Sequence, residues 1–254
     1  VLTAGVDLAA ETAGTALATI EWSSSAAVLR SLETAVPDAR IAAVAETAVS
    51  TGIDCAFGWP DEFVEFVAAH ARGERIAGEL AGMPWRRTLA YRETDRVTRE
   101  VTGRWPLSVS TDRLGLTAMH CAALLECVGD RIGPVDRSGA GRVAEVYPGA
   151  SLRLWGFGTR GYKTDASVRA GLLAEFGERM PWLELGAMAD LMVADDDAFD
   201  AVVAALVARA HALGLTPPPP ARHLDSARRE GWIALPPRDL AEIAPAEWRS
   251  ADPR

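Results

Sequence analysis

A single lysine, Lys163, stands among the 26 basic residues, so the other 25 are arginine. With the many alanines this reads as a coding bias, and arginine abundance carries little functional weight. The scarcity of lysine does exclude chemistry. A P-loop needs Gly-Lys-Ser/Thr, and Lys163 sits in Tyr162-Lys163-Thr164 with no glycine-rich run leading into it. Schiff-base catalysis would have to rest on the same residue. Cysteine is nearly as rare: Cys55, Cys121 and Cys127 cannot build a disulfide framework, and no two are spaced as Cys-x-x-Cys. Four histidines (His70, His120, His211, His223) form no His-Glu-x-x-His motif, so a thiolate or imidazole zinc site is not expected. No uninterrupted apolar run approaches the ~18 residues of a membrane span, and no charged-then-apolar leader is present. The expectation is a reduced, cytoplasmic, soluble protein. An excess of positive charge is missing too. The formal charge is −9, which argues against a protein that coats nucleic acid or lies on a membrane.

What is present is a chain of 254 residues, 49% apolar and 24% charged, with enough apolar content for a sizeable core. Residues 1–9, 15–22 and 26–33 read as strands, with Ser23-Ser24-Ser25 as a turn. Pro37-Asp38 opens a short helix, and 48–55 follows as a fourth strand, which predicts a meander followed by a crossover to a parallel strand. Trp59-Pro60-Asp61 starts another helix, with Phe63, Phe66 and Val67 at helical spacing. Residues 73–87 look irregular, and 88–102 reads as a helix with Arg92, Arg96 and Arg99 on one face. Further helices are predicted at 114–128, 164–176 and 198–213, the last with Phe199, Val202, Val203, Leu206 and Ala210 as an apolar stripe. Residues 142–147 read as a short buried strand, 217–220 as a polyproline spacer, and 231–235 as an edge strand. One domain over 1–236 is expected, with an insertion at about 73–140 and a peripheral tail at 237–254.

Acidic residues occupy positions where apolar ones belong. Gly5-Val6-Asp7-Leu8-Ala9 is echoed by Gly52-Ile53-Asp54-Cys55-Ala56, each with its Asp near the carboxyl end of a strand. Such an Asp can simply end a strand by accepting a turn amide. Two of them on strands that can be neighbours also suit a ligand, because ligands of open α/β sheets collect at the carboxyl ends of strands. A buried carboxylate is costly unless paired or bound to a cation. Asp195-Asp196-Asp197-Ala198-Phe199-Asp200 opens the strongest helix. Capping explains Asp195 to Asp197, but Asp200 lies one turn inside, on the face of Asp197 and beside Ala201 and Ala204. Glu145 is a further acid in an apolar strand, either catalytic or the partner of an arginine. Asp7, Asp54, Asp197 and Asp200 would make an all-oxygen site for Mg²⁺ or Mn²⁺.

Six segments carry a family resemblance. A meander, helix and strand with Asp on the first and fourth strands, closed by an Asp-x-x-Asp helix, resembles the ribonuclease H-like fold. Asp197-Ala198-Phe199-Asp200-Ala201 is similar to the last catalytic helix of RuvC-type resolvases. With Phe57-Gly58-Trp59-Pro60, Arg92-Glu93-Thr94-Asp95, Glu145-Val146-Tyr147-Pro148 and Glu230-Gly231-Trp232-Ile233, the set resembles domain-of-unknown-function family 429, described as predicted RNase H-like nucleases. The likeness runs over about residues 3–236. It implies an α/β fold with a mixed sheet, a three-strand antiparallel meander plus parallel strands, flanked by helices and carrying a helical insertion. It also implies a metal-dependent nuclease with Asp7, Asp54, Asp200 and Glu145 as catalytic residues.

Substrate contacts are less defined. Residues 86–104 hold six arginines against three acids. Arg92 and Asp95 there are either substrate-contacting or paired on a solvated face. Trp59, Trp85, Trp105 and Trp155 can stack bases or fill core and rim, and Cys55 reads as a buried strand residue rather than a nucleophile. Two other functions stay open: a non-catalytic RNase H-fold binding protein, and an actin- or sugar-kinase-like phosphotransferase, although Ala9-Ala10-Glu11 stands where the latter places Gly-Thr. Seven acids belong to or border the proposed site, and setting them aside leaves −2 of the −9. A nucleic-acid or nucleotide partner held weakly or structure-selectively is therefore expected, and no membrane.

Overall fold

The computed structural model describes residues 1–74 and 82–250. Strands β1 (Leu2–Asp7), β2 (Ala16–Trp22) and β3 (Ala27–Thr34) form the antiparallel meander. The Ser23 hydroxyl oxygen closes the second turn by accepting the N–H groups of Ser25 and Ala26. Helix α1 (Asp38–Thr47) crosses over, and β4 (Ser50–Asp54) returns parallel to β1. Strand β5 (Val143–Glu145) extends the sheet parallel to β4, and β6 (Leu183–Glu184) adds two residues parallel to β3. The resulting order is β5-β4-β1-β2-β3-β6.

The remaining helices are α2 (Asp61–Ala71), α3 (Gly82–Ala90), α4 (Glu93–Thr102), α5 (Asp112–Ile132), α6 (Pro148–Leu154), α7 (Ala166–Arg179), α8 (Ala189–Ala194), α9 (Asp196–Ala212), α10 (Leu224–Glu230) and α11 (Ala246–Ser250). Alternation along the strands sorts side chains onto two faces. Ala4, Val6, Leu17 and Ile53 meet α1 and α5 through Ile41, Val44, Cys121, Leu124 and Val128. The opposite face carries Ala18, Ile20 and Leu29 and meets α9. Helix α5, expected as part of an insertion, is thus one of the two layers that cover the sheet.

Several expectations change. The stripe on α9 is a buried cylinder: Ala198 to Ala210 are all buried, because α9 lies between the sheet and an outer shell with α6, α7 and α8. The single helix expected over 88–102 is two. Arg92 is extended at ψ 166°, and its backbone N–H donates to Asp95, which ends one helix and starts the next. Part of 73–87, expected to be irregular, is α3, and 75–81 lie outside the described residues. The edge strand at 231–235 reduces to one bridge between Ile233 and Glu145. The tail is not peripheral as far as it is described. Leu240, Ile243 and Ala244 enter the α9 core, and Trp248 Nε1–H donates to the Ser25 carbonyl. No helix among the described residues is long and apolar enough to cross a membrane.

Candidate metal centre

The echoed glycines and aspartates prove to be in register. Gly5 pairs with Gly52 and Asp7 with Asp54 across the parallel β1–β4 ladder. Because side chains two apart share a face, Gly5 and Asp7 face α9 together, as Gly52 and Asp54 do. The glycines set how close the helix comes. A Cβ at Gly5 would lie 2.1 Å from the Ala201 carbonyl oxygen and 2.1 Å from the Ala205 nitrogen, and one at Gly52 would lie 2.7 Å from the Ala204 carbonyl oxygen. Backbone therefore rests on backbone, and Asp200, one residue before that contact, drops onto the strand ends. Ligand oxygens of Asp7, Asp54 and Asp200 all lie within 4.8 Å of one another. Asp200 and Asp7 are buried, and Asp54 is partly exposed.

The cluster is short of positive charge. Asp200 Oδ2 accepts the Tyr162 hydroxyl at 3.1 Å and the Lys163 ammonium, while Oδ1 is buried without a partner. Lys163 Nζ also lies 3.7 Å from Asp7 Oδ2 and 3.6 Å from Asp196 Oδ2. With all three carboxylates ionised, one ammonium leaves two negative charges uncompensated. Burial raises the Asp7 carboxyl well above its ordinary range; Lys163 opposes that, and Asp54, Asp200 and Asp197 add to it. Burial, then the charge of Asp200, pushes Asp54 up to about 7. Asp200 is raised by burial too, against the pull of Lys163 and Tyr162. Burial alone would lower Lys163, yet Asp200 and Asp7 outweigh it and hold the amine cationic. Clustered carboxylates with raised affinity for protons, one oxygen of which is orphaned, fit a hard divalent cation such as Mg²⁺ or Mn²⁺.

The acidic run at the start of α9 divides as its positions suggest. Asp195 is the N-cap, its Oδ1 accepting the N–H groups of Asp197 and Ala198. Asp197, half-buried, faces Asp7 and contributes to its raised pKa. Asp195, Asp196 and Asp197 also group within 4.8 Å, but their place at the N-terminus of α9 accounts for that half-buried trio.

Glu145, offered by the sequence as a catalytic acid, sits one strand over, where β5 pairs with β4. Its carboxylate is already filled. Oε1 accepts Arg92 Nη2 at 2.7 Å, and Oε2 accepts Arg92 Nη1 at 2.8 Å and the Phe57 N–H at 2.9 Å. Arg92 and Asp95, expected to touch substrate, are likewise buried, at 3% and 0% exposure. All five guanidinium N–H donors of Arg92 are spent on Asp95, Glu145 and the Glu230 carbonyl oxygen, so none is left for a phosphate. Their pairing follows the sequence reading, but the face is not solvated. None of the four tryptophans lines the cleft over the cluster. Trp59 packs beside Ala56, Val109 and Ala118, Trp85 meets Phe66 edge-on, Trp105 stacks on Tyr91, and Trp155 is in the core.

Two residues of the site were not singled out from sequence. Lys163 carried one signal, as the only lysine of the chain, and Tyr162 carried none beyond adjacency to it. Glu230, named in sequence only within a family motif, was given no role: its Oε1 accepts the first N–H of α2 and its Oε2 the first N–H of α4, tying two helix starts together. The cluster opens into a cleft of about 400 Å³ lined by Leu8, Leu114, Tyr147, Arg153 and Lys163. Arg153 Nη1–H donates to the Thr159 hydroxyl, and its buried Nε–H has no acceptor.

A family model described as "Protein of unknown function (DUF429)" matches residues 5–223. Among curated proteins and among solved structures, none matches.

Proposed function

The chain belongs to the DUF429 family of proteins of unknown function, and we propose that it is a metal-dependent nuclease of ribonuclease H-like type, hydrolysing nucleic-acid phosphodiester bonds at Asp7, Asp54 and Asp200. The observation that carries this function is the orphaned Oδ1 of buried Asp200 inside an uncompensated carboxylate trio. The sheet supports the fold type: a meander followed by two parallel strands beside β1, with the acids at the carboxyl ends of β1 and β4.

A divalent ion bound there would supply Lewis acidity at phosphorus and a hydroxide nucleophile near neutral pH. Asp7, Asp54 and Asp200 would hold it, with Asp197 beside Asp7 on the more exposed side. Tyr162 fixes Asp200 through Oδ2 and leaves Oδ1 free to ligate. Arg153 lines the cleft, where its guanidinium is a donor for a phosphate oxygen. Leu8 and Leu114 form an apolar wall that limits water. A cleft of this size and a charge of −9 favour a short or structurally selected phosphodiester over a long coated duplex.

One observation favours a second reading, a binding protein without turnover: a side-chain cation, Lys163, already reaches the trio. The two readings separate on a panel of single-stranded, duplex and branched RNA and DNA with Mn²⁺. Nuclease function requires hydrolysis of at least one substrate, and a loss of about a hundredfold or more in Asp200→Asn at unchanged Tm. Binding without any hydrolysis by the wild type would leave the non-catalytic reading standing.

A further inference from the structure

Lys163 stands apart from the other cations near the cleft. Arg92 is locked by five hydrogen bonds, and Arg153 is held through Thr159. Lys163 pairs with three carboxylates, from β1 and α9, and its Nζ lies 5.9 Å from the centre of the Tyr162 ring. It lies between α6 and α7 in the turn at 158–165, and its side chain is 44% exposed. A long side chain with an exposed stem can leave without opening the core. What it cannot do is share the cage with a divalent ion at no cost, since two cations a few ångströms apart repel strongly in a partly buried site.

We infer that Lys163 is the resident counter-ion of the carboxylate trio in the metal-free protein, and that a divalent cation binds by displacing its ammonium into the cleft beside Arg153. This rests on the metal-site reading above and adds an order of events to it. Without metal, the ammonium offsets part of the repulsion among Asp7, Asp54 and Asp200 and lets the fold tolerate them. With metal, the same group is released into the cleft that Arg153 also lines, where a substrate phosphate would lie. Lys163 is here a positioning and balancing residue, and no bond is made or broken at it.

The consequence is opposite to that of an ordinary supporting residue. Removing a group that helps a site lowers its metal affinity, whereas removing a competitor raises it. Titration of the full chain with Mn²⁺ by calorimetry should show Lys163→Met binding on the order of tenfold tighter than wild type, with Lys163→Arg close to wild type. Without metal, Lys163→Met should have the lower Tm, and saturating Mn²⁺ should recover that deficit. A variant that fails to fold is covered by the wild type itself. Reductive methylation with ¹³C-formaldehyde labels a single lysine, and Mg²⁺ should move its methyl resonance to the position of a solvent-exposed lysine. Equal or weaker Mn²⁺ binding by Lys163→Met, or a methyl resonance unmoved at saturating Mg²⁺, overturns the displacement while the metal site stands. Absence of Mn²⁺ binding by both proteins overturns the metal site and the displacement together.

Discussion

Two acid-rich regions lie side by side at the ends of neighbouring strands, and they are built on opposite terms. In the Arg92–Asp95–Glu145–Glu230 network every carboxylate oxygen has a donor. Asp95 takes the Arg92 guanidinium and backbone N–H, Glu145 takes the guanidinium and Phe57, and Glu230 takes two helix starts. In the Asp7–Asp54–Asp200 cluster one oxygen has no partner, and a single half-exposed ammonium is shared between Asp7 and Asp200. Burial and residue type are alike in the two, so neither marks function. What separates them is whether the hydrogen-bonding capacity of the acids is used up. A saturated network has nothing left to offer a ligand, and an unsaturated one is stable only at a cost that a ligand can remove.

The largest expected effect falls on the saturated side. Arg92→Met deletes the one cation that, among the described residues, pairs with Asp95 and Glu145, and strands two buried carboxylates along with the Glu230 carbonyl oxygen. A loss of about 3–5 kcal/mol in unfolding free energy is expected from urea titration. A change below about 1 kcal/mol would mean that the network is not the fastener its geometry describes. The opposite sign is expected in the cluster. Asp54→Asn removes one of three repelling charges and brings an amide that can donate to Asp7 or Asp200. Without metal it should stabilise the protein by about 1 kcal/mol, while the rise in Tm that Mg²⁺ gives the wild type should vanish. If Asp54→Asn destabilises the protein as Arg92→Met does, the two regions are not different in kind.

The cluster was far more legible in sequence than the network, for a physical reason. Gly5-x-Asp7 and Gly52-x-Asp54 are short local patterns, and a period of two is enough to put glycine and acid on one face of a strand. Asp200 follows from helix periodicity. Lys163 makes its contact from a loop, where no period constrains it. The network is assembled from residues distant in the chain: Arg92 meets Glu145 across 53 positions and the Glu230 carbonyl across 138. Arg92 therefore read either as a substrate contact or as an arginine paired on a solvated helix face. The same holds for the fold. The meander and the crossover are local and were foreseen, whereas the two-residue β6 exists only because β3 is there to pair with. The tail around Ile243 is buried by α9, to which no local pattern ties it.

The smallest expected effect is a pH slope that metal abolishes. A carboxyl whose pKa is higher in the folded state binds protons more readily folded than unfolded. Its stabilising contribution is complete below the unfolded value and is lost as pH rises through the folded one. For Asp54 that window runs from its ordinary 3.8 to about 7, with Asp7 and Asp200 shifted in the same direction. The metal-free protein should therefore lose stability between about pH 4 and 7, where carboxylates whose values are lowered by pairing have nearly all of their contribution in place and add little slope. The slope would amount to roughly 2–3 °C in Tm per pH unit for a chain of this size. Glu145 and Glu230 are raised as well, by burial. His120 is raised because its bonds to the Ala9 carbonyl and to Asp38 outweigh its burial. All three contribute with the same sign, so the slope by itself does not locate its source. Saturating Mg²⁺ does, because an ion held by Asp7, Asp54 and Asp200 favours their charged forms and leaves Glu145, Glu230 and His120 untouched. Tm measured across pH with EDTA and with Mg²⁺ should give curves that separate increasingly above pH 6. Parallel curves would place the protons in the saturated network and leave the cluster without a role in binding metal.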